Sequence, residues 1–173
     1  TVLWMLPPSI SVAHACLGQA VFCLIVCVSM ALSPSWQPRS TVVTPGRLSS
    51  VPFASLGLLM ALACQLIAGA ILRHAGYALS WHLAGAAMIA CLIGWLWRQT
   101  RRLSETHRLV NGLVVGVCAQ ASLGFFAWGH RDHVLATTAH QALGALLLPV
   151  ACVLAVRLST KSKIQNPTSK ILT

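Results

Sequence analysis

Carboxylates are nearly missing from this chain: Glu105 and Asp132 are the only two, against twelve lysines and arginines, and neither lies in a long apolar run. Their scarcity removes the oxygen donors that a calcium or magnesium site takes, and the carboxylate that often completes a zinc site. Charge of either sign is also scarce. Only 8% of the residues are charged, where a soluble domain carries about a quarter, so an ordinary soluble fold is excluded. The seven cysteines (Cys16, Cys23, Cys27, Cys64, Cys91, Cys118 and Cys152) all fall within apolar runs and form no CxxC or CxxCH. They read as small buried hydrophobes, with nothing pointing to zinc, a disulfide framework or covalently attached c-type heme. A basic leader and a small-residue cleavage site are missing as well, and the first apolar run is too long for a signal segment. A chain that starts at Thr1 and enters the bilayer without an initiator is expected to be the tail of something longer.

What remains is apolar sequence: 57% hydrophobic residues and a mean hydropathy of +0.77. About 20 residues at roughly 1.5 Å rise cross the roughly 30 Å hydrocarbon layer. Five runs qualify: Ser9 to Leu32, Pro52 to Arg73, Leu79 to Trp97, Leu109 to Trp128 and Val134 to Val156. Pro34, Pro38, Pro45 and Gly46 punctuate the first connection, and Gly76 and Gly129 the two short turns. The expected fold class is therefore all-α, a polytopic membrane protein with five transmembrane helices.

A net charge of +10 suggests nucleic acid, but the basic residues form no patch with interleaved aromatics. They report topology instead. Arg39, Arg47, Arg98, Arg101, Arg102, Arg108, Arg157, Lys161, Lys163 and Lys170 fall on one side, and only Arg73 and Arg131 on the other. By the positive-inside rule, the first connection, the third connection and the C-terminus are cytoplasmic and the N-terminus is outside. The chain is then a multi-pass plasma-membrane protein, with a prokaryotic source expected. His14, His82 and His140 each lie near the start of an inward-running helix, so all three sit at similar depth near the outer face. Trp81, Trp95, Trp97 and Trp128 mark run ends as interfacial anchors. His74, His130 and His133 fall in outer turns, and His107 on the cytoplasmic side.

An ionisable side chain inside a bilayer costs a few kcal/mol unless it is paired, so each intramembrane histidine is a functional candidate. Its plain alternative is an interhelical hydrogen bond. His14 and Gly18, like His140 and Gly144, are spaced i, i+4, and Ala84, Gly85 and Ala86 follow His82. A flat macrocycle between helices needs an imidazole from each side and small residues beside it. With no carboxylate in any span, facing neutral imidazoles fit a six-coordinate heme iron better than a carboxylate-assisted metal site. Gln65, Gly69 and Arg73 share one stripe, and Gln120 and Gly124 another, as helix-packing residues would. Arg73 either faces a heme propionate or snorkels to headgroups. Gly112 and Gly116 form a small-xxx-small packing motif.

The order Gln65-x-x-x-Gly69-x-x-x-Arg73-His74-Ala75-Gly76, His82, Gln120-x-x-x-Gly124, His140-Gln141-Ala142 resembles the C-terminal half of heme A synthase. His14-Ala-Cys-Leu-Gly18-Gln19 is similar to that family's fourth helix, and the resemblance runs from about Val12 to Arg157. It implies two pseudo-symmetric four-helix bundles and oxidation of the heme O methyl group to the formyl group of heme A. Heme O synthase and the cytochrome oxidase pathway would be partners. His82 and His140 would be the axial ligands of a b-type heme, with Arg73, Gly85 and Gly144 around it. His14 would ligate a second heme, on the side where heme O is substrate.

The chain departs from the family pattern in lacking its first three helices, an acidic residue tied to catalysis and an outer-loop cysteine pair. Residues 1–33 are then the last helix of an otherwise absent bundle, 34–51 a cytoplasmic linker, 52–158 a four-helix heme-binding bundle and 159–173 a basic cytoplasmic tail. No catalytic residue is assigned, and the redox partner is open. The expected chain is a fragment or a half-length product that binds heme without completing the oxidation; the alternatives are a b-type cytochrome electron carrier and a heme-free accessory protein.

Overall fold

With no water in a bilayer core to satisfy backbone N–H and C=O groups, an apolar run of this length must bond to itself, which a helix does. The computed structural model describes residues 7–33, 50–130 and 133–165, and contains five helices: α1 Pro8–Leu32, α2 Ser50–Ala75, α3 Leu79–Thr100, α4 Ser104–Gly129 and α5 Val134–Gln165. Each contains a stretch long and apolar enough to cross a membrane. Arg39, Arg47, Arg131, Asp132 and Lys170, with most of the expected linker and the end of the expected tail, lie outside the described residues.

Two helices overrun the apolar runs furthest. α4 begins at Ser104 rather than Leu109, and α5 continues to Gln165 rather than Val156, so the first residues of the expected tail are helical. Hydropathy marks where a helix suits hydrocarbon. Backbone hydrogen bonding does not stop there.

The α2–α3 turn is built from two residues with positive φ. Gly76 (φ 76°) follows the last helical residue, and its N–H reaches the Leu72 carbonyl at 3.1 Å, a left-handed helix cap that glycine adopts without strain. Ala78 (φ 79°) precedes α3 in the same left-handed region, where a Cβ is disfavoured.

Packing follows the order α2 on α3, α3 on α4, α4 on α5 and α5 back on α2, a closed ring of four helices, with α1 lodged against α2 and α5. α3 and α5 are therefore diagonal. The buried apolar core, including Leu58, Ile93, Leu96, Leu113 and Leu154, occupies one half of the ring. That half ends at the α3–α4 connection, where Trp97 Nε1 donates to Asn111 Oδ1 at 2.8 Å and Arg101 lies 4.0 Å above the Trp97 ring. His107 sits there too, half-buried, 3.4 Å from Thr100 Oγ1. In the other half, Ala136 is the one fully buried apolar residue among those described between Ala63 and Met88 and between Val114 and Ala145. This looser half holds the histidines.

α5 carries Pro149 in its interior. Proline has no N–H to give the carbonyl four residues earlier, which is that of Ala145. Gln19, buried on α1, donates its amide to the Ala145 oxygen at 2.6 Å. Two turns further along both helices, Cys27 Sγ and Cys152 Sγ are 3.2 Å apart, so both contacts share one register.

Candidate functional site

His82 on α3 and His140 on α5 project from diagonal helices into the ring and meet there. Their ring centroids are 6.3 Å apart with planes inclined at 66°. Both side chains are half-buried.

Each imidazole lies against a glycine on the preceding helix. A Cβ at Gly69 would sit 3.2 Å from His82 Cε1, and one at Gly124 only 2.8 Å from His140 Cε1 and 3.1 Å from its Nδ1. The glycines that follow the histidines do a different job. A Cβ at Gly85 would collide with the Gln65 amide oxygen, and one at Gly144 would lie 2.9 Å from Gln120 Nε2. The expectation that Gly85 and Gly144 clear space beside their own helix's imidazole therefore changes: they receive glutamines, while Gly69 and Gly124 receive the rings. Each hairpin is a reciprocal pair of knobs and holes, Gln into Gly one way and His into Gly the other.

The two hairpins differ in their hydrogen bonds. Gln65 Nε2 donates to the His82 backbone carbonyl at 2.7 Å, leaving the His82 ring aside, and buried His82 Nδ1 has no hydrogen-bond partner among the described residues. In the second hairpin His140 Nδ1 lies 3.0 Å from the Gln120 carbonyl oxygen and His140 Nε2 3.3 Å from Gln120 Nε2. Gln120 Oε1 is buried without a hydrogen-bond partner among the described residues.

Arg73 closes the histidine end. With the Gln141 amide turned to present its oxygen, that oxygen accepts from Arg73 Nη1 at 2.7 Å and Nε at 3.2 Å. The guanidinium is thereby fixed beside the residue that follows His140, yet remains exposed. His14 is not brought to this site: it is exposed on α1, and Gly18 has nothing within 4 Å. His74, His130 and His133 are exposed; His130 stacks on Phe126 at 4.4 Å, and His133 Nδ1 accepts the Ala136 N–H at 3.2 Å. Gly116 takes the Leu147 side chain, whereas Gly112 has nothing within 4 Å, so half of that motif packs. Gln141 and the second role of Gln120 were missed in the sequence; adjacency to His140 was the available signal.

Among the described residues no group of three or more His, Cys, Asp or Glu side chains is placed to hold a metal ion. The donor set at the centre of the ring is two imidazoles, with amides around them and one guanidinium at the rim. No family model, curated protein or solved structure matches the chain.

Proposed function

We propose that this chain binds a b-type heme between His82 and His140, as a membrane protein of the heme A synthase type. The observation that carries the reading is the 6.3 Å between the two ring centroids. Two metal–imidazole bonds of about 2 Å, plus the distance from each nitrogen to its ring centre, put such centroids roughly 6 Å apart. Two imidazoles are too few for a bare ion, but a metalloporphyrin brings four equatorial nitrogens and needs only the axial pair. The histidine half of the ring is the loosely packed one, Gly69 and Gly124 let the two imidazoles seat against the neighbouring helices, and Arg73 stands at the edge where an anionic substituent would be met.

When bound, heme supplies one-electron chemistry at iron. His82 and His140 would hold it, and with both imidazoles committed to the group the site would suit electron relay rather than oxygen activation. The five spans contain no carboxylate, which also favours relay over the methyl oxidation itself. By the resemblance, heme O would be the pathway's substrate, with His14 at a second heme; membrane lipid, heme O synthase and the cytochrome oxidase pathway complete the partners. The histidine end would face outward and the arginine-rich end the cytoplasm. The test is an absorption spectrum of the purified chain with heme, oxidised and reduced. A low-spin b-type spectrum is expected with about one iron per chain, and His82→Ala and His140→Ala should each lose it. A low-spin spectrum unchanged in both variants refutes the site.

A further inference from the structure

The two histidines are not equivalent, although the hairpins that carry them share one knob-and-hole arrangement. We propose that Gln120 is a positioning residue that occupies the coordinating nitrogen of His140, so that His82 takes the cofactor first and His140 second. The inference rests on the heme reading above and deepens it.

The tautomer of His140 follows from its partners. A backbone carbonyl only accepts, so Nδ1, 3.0 Å from the Gln120 oxygen, carries the ring proton and Nε2 presents its lone pair. This is the tautomer a metal ligand needs, with its second nitrogen anchored to a carbonyl. The lone pair is not idle: Gln120 Nε2 stands 3.3 Å away, and in this tautomer it donates an N–H to His140 Nε2. The amide thus holds the place where an electrophile would be bound. Its own oxygen is buried with no partner, so the arrangement gives Gln120 one hydrogen bond and leaves its acceptor unsatisfied. Gly144 makes it sterically feasible, because a side chain there would meet the Gln120 amide nitrogen.

The first hairpin lacks this device. Gln65 spends its amide on the His82 main-chain carbonyl, and the His82 ring has no side-chain amide on it. Ligation at His82 displaces no side-chain amide, whereas ligation at His140 requires the Gln120 side chain to swing away. The repeated Gln, Gly and His residues therefore make one open ligand and one guarded ligand.

The experiment titrates hemin into the detergent-purified full chain and reads affinity and spin state by absorbance. His140→Ala should keep heme as a five-coordinate, high-spin form, while His82→Ala should bind more weakly than His140→Ala. Gln120→Leu, which keeps the volume and removes the donor, should bind hemin about two- to tenfold more tightly than the unaltered chain, the effect of one hydrogen bond. His82→Ala combined with Gln120→Leu should recover affinity over His82→Ala alone. Gly144→Ala, which displaces the amide without removing it, should shift affinity in the same direction as Gln120→Leu. Equal affinities for the two histidine variants, or no gain in Gln120→Leu and Gly144→Ala, overturn the proposal while leaving the heme site standing. An unaltered chain that takes up no hemin overturns both.

Discussion

Adding one methyl group at Gly124 tests the site without any cofactor. The new Cβ would lie 2.8 Å from His140 Cε1, about 0.6 Å inside ordinary contact at 3.4 Å, and 3.1 Å from Nδ1. The imidazole is rigid and tied to the Gln120 carbonyl, so it cannot yield as a long side chain would. Overpacking of this kind costs about 1–3 kcal/mol, offset by roughly 0.5–1 kcal/mol from replacing glycine within a helix. Gly124→Ala should therefore lower stability by about 1–2 kcal/mol. Gly69→Ala, with its nearest contact at 3.2 Å, should fall near zero. Gly112→Ala, with nothing within 4 Å, should be neutral or stabilising by up to about 1 kcal/mol. Thermal unfolding of the three variants in one detergent ranks them. If Gly124→Ala is as stable as Gly112→Ala, the His140 ring does not lie where it is described, and the site geometry fails with it.

Gln19→Leu should cost about 1–3 kcal/mol by stranding the Ala145 carbonyl, and much less when Pro149→Ala has restored an N–H to that carbonyl; additive effects in this double-mutant cycle would show that the two are uncoupled. Cys27 and Cys152 need to close from 3.2 Å by only about 1 Å to form a disulfide, so copper-phenanthroline oxidation of membranes should join α1 to α5. A protease site inserted between Ser33 and Ser50 would then release the α1 fragment only after reduction, and release without reductant would contradict the α1 packing. Ala78→Gly should stabilise the chain by about 1 kcal/mol by relieving the left-handed strain before α3, measurable as a rise in Tm, and a fall would contradict that turn geometry.

Which features were legible follows from which forces act along a single helix. Span positions could be read because hydropathy and length answer to the bilayer locally, and the expected starts of α1 and α3 fall within one residue of those observed. The start of α4 and the end of α5 were not, since polar turns stay helical outside hydrocarbon. At the site, the residues Gln65, Gly69, His82, Gln120, Gly124 and His140 stood out by their order and shared stripes, but their pairing did not. Spacing suggested that Gly144 serves His140; the contact is with Gln120 instead, because the neighbouring helix, rather than the same face, supplies the knob.

The amino-acid sequence by itself determined an all-α chain with five segments suited to a membrane, because apolar length and the obligation to satisfy backbone groups act within each segment. It also determined the depth of each histidine along its helix. Only the tertiary structure decided that His82 and His140 face one another while His14 does not, and that Gln19 serves a carbonyl freed by a proline on α5. Depth is a property of one helix, whereas facing is a property of how helices are rotated and ordered in the ring, which depends on contacts between residues far apart in the chain.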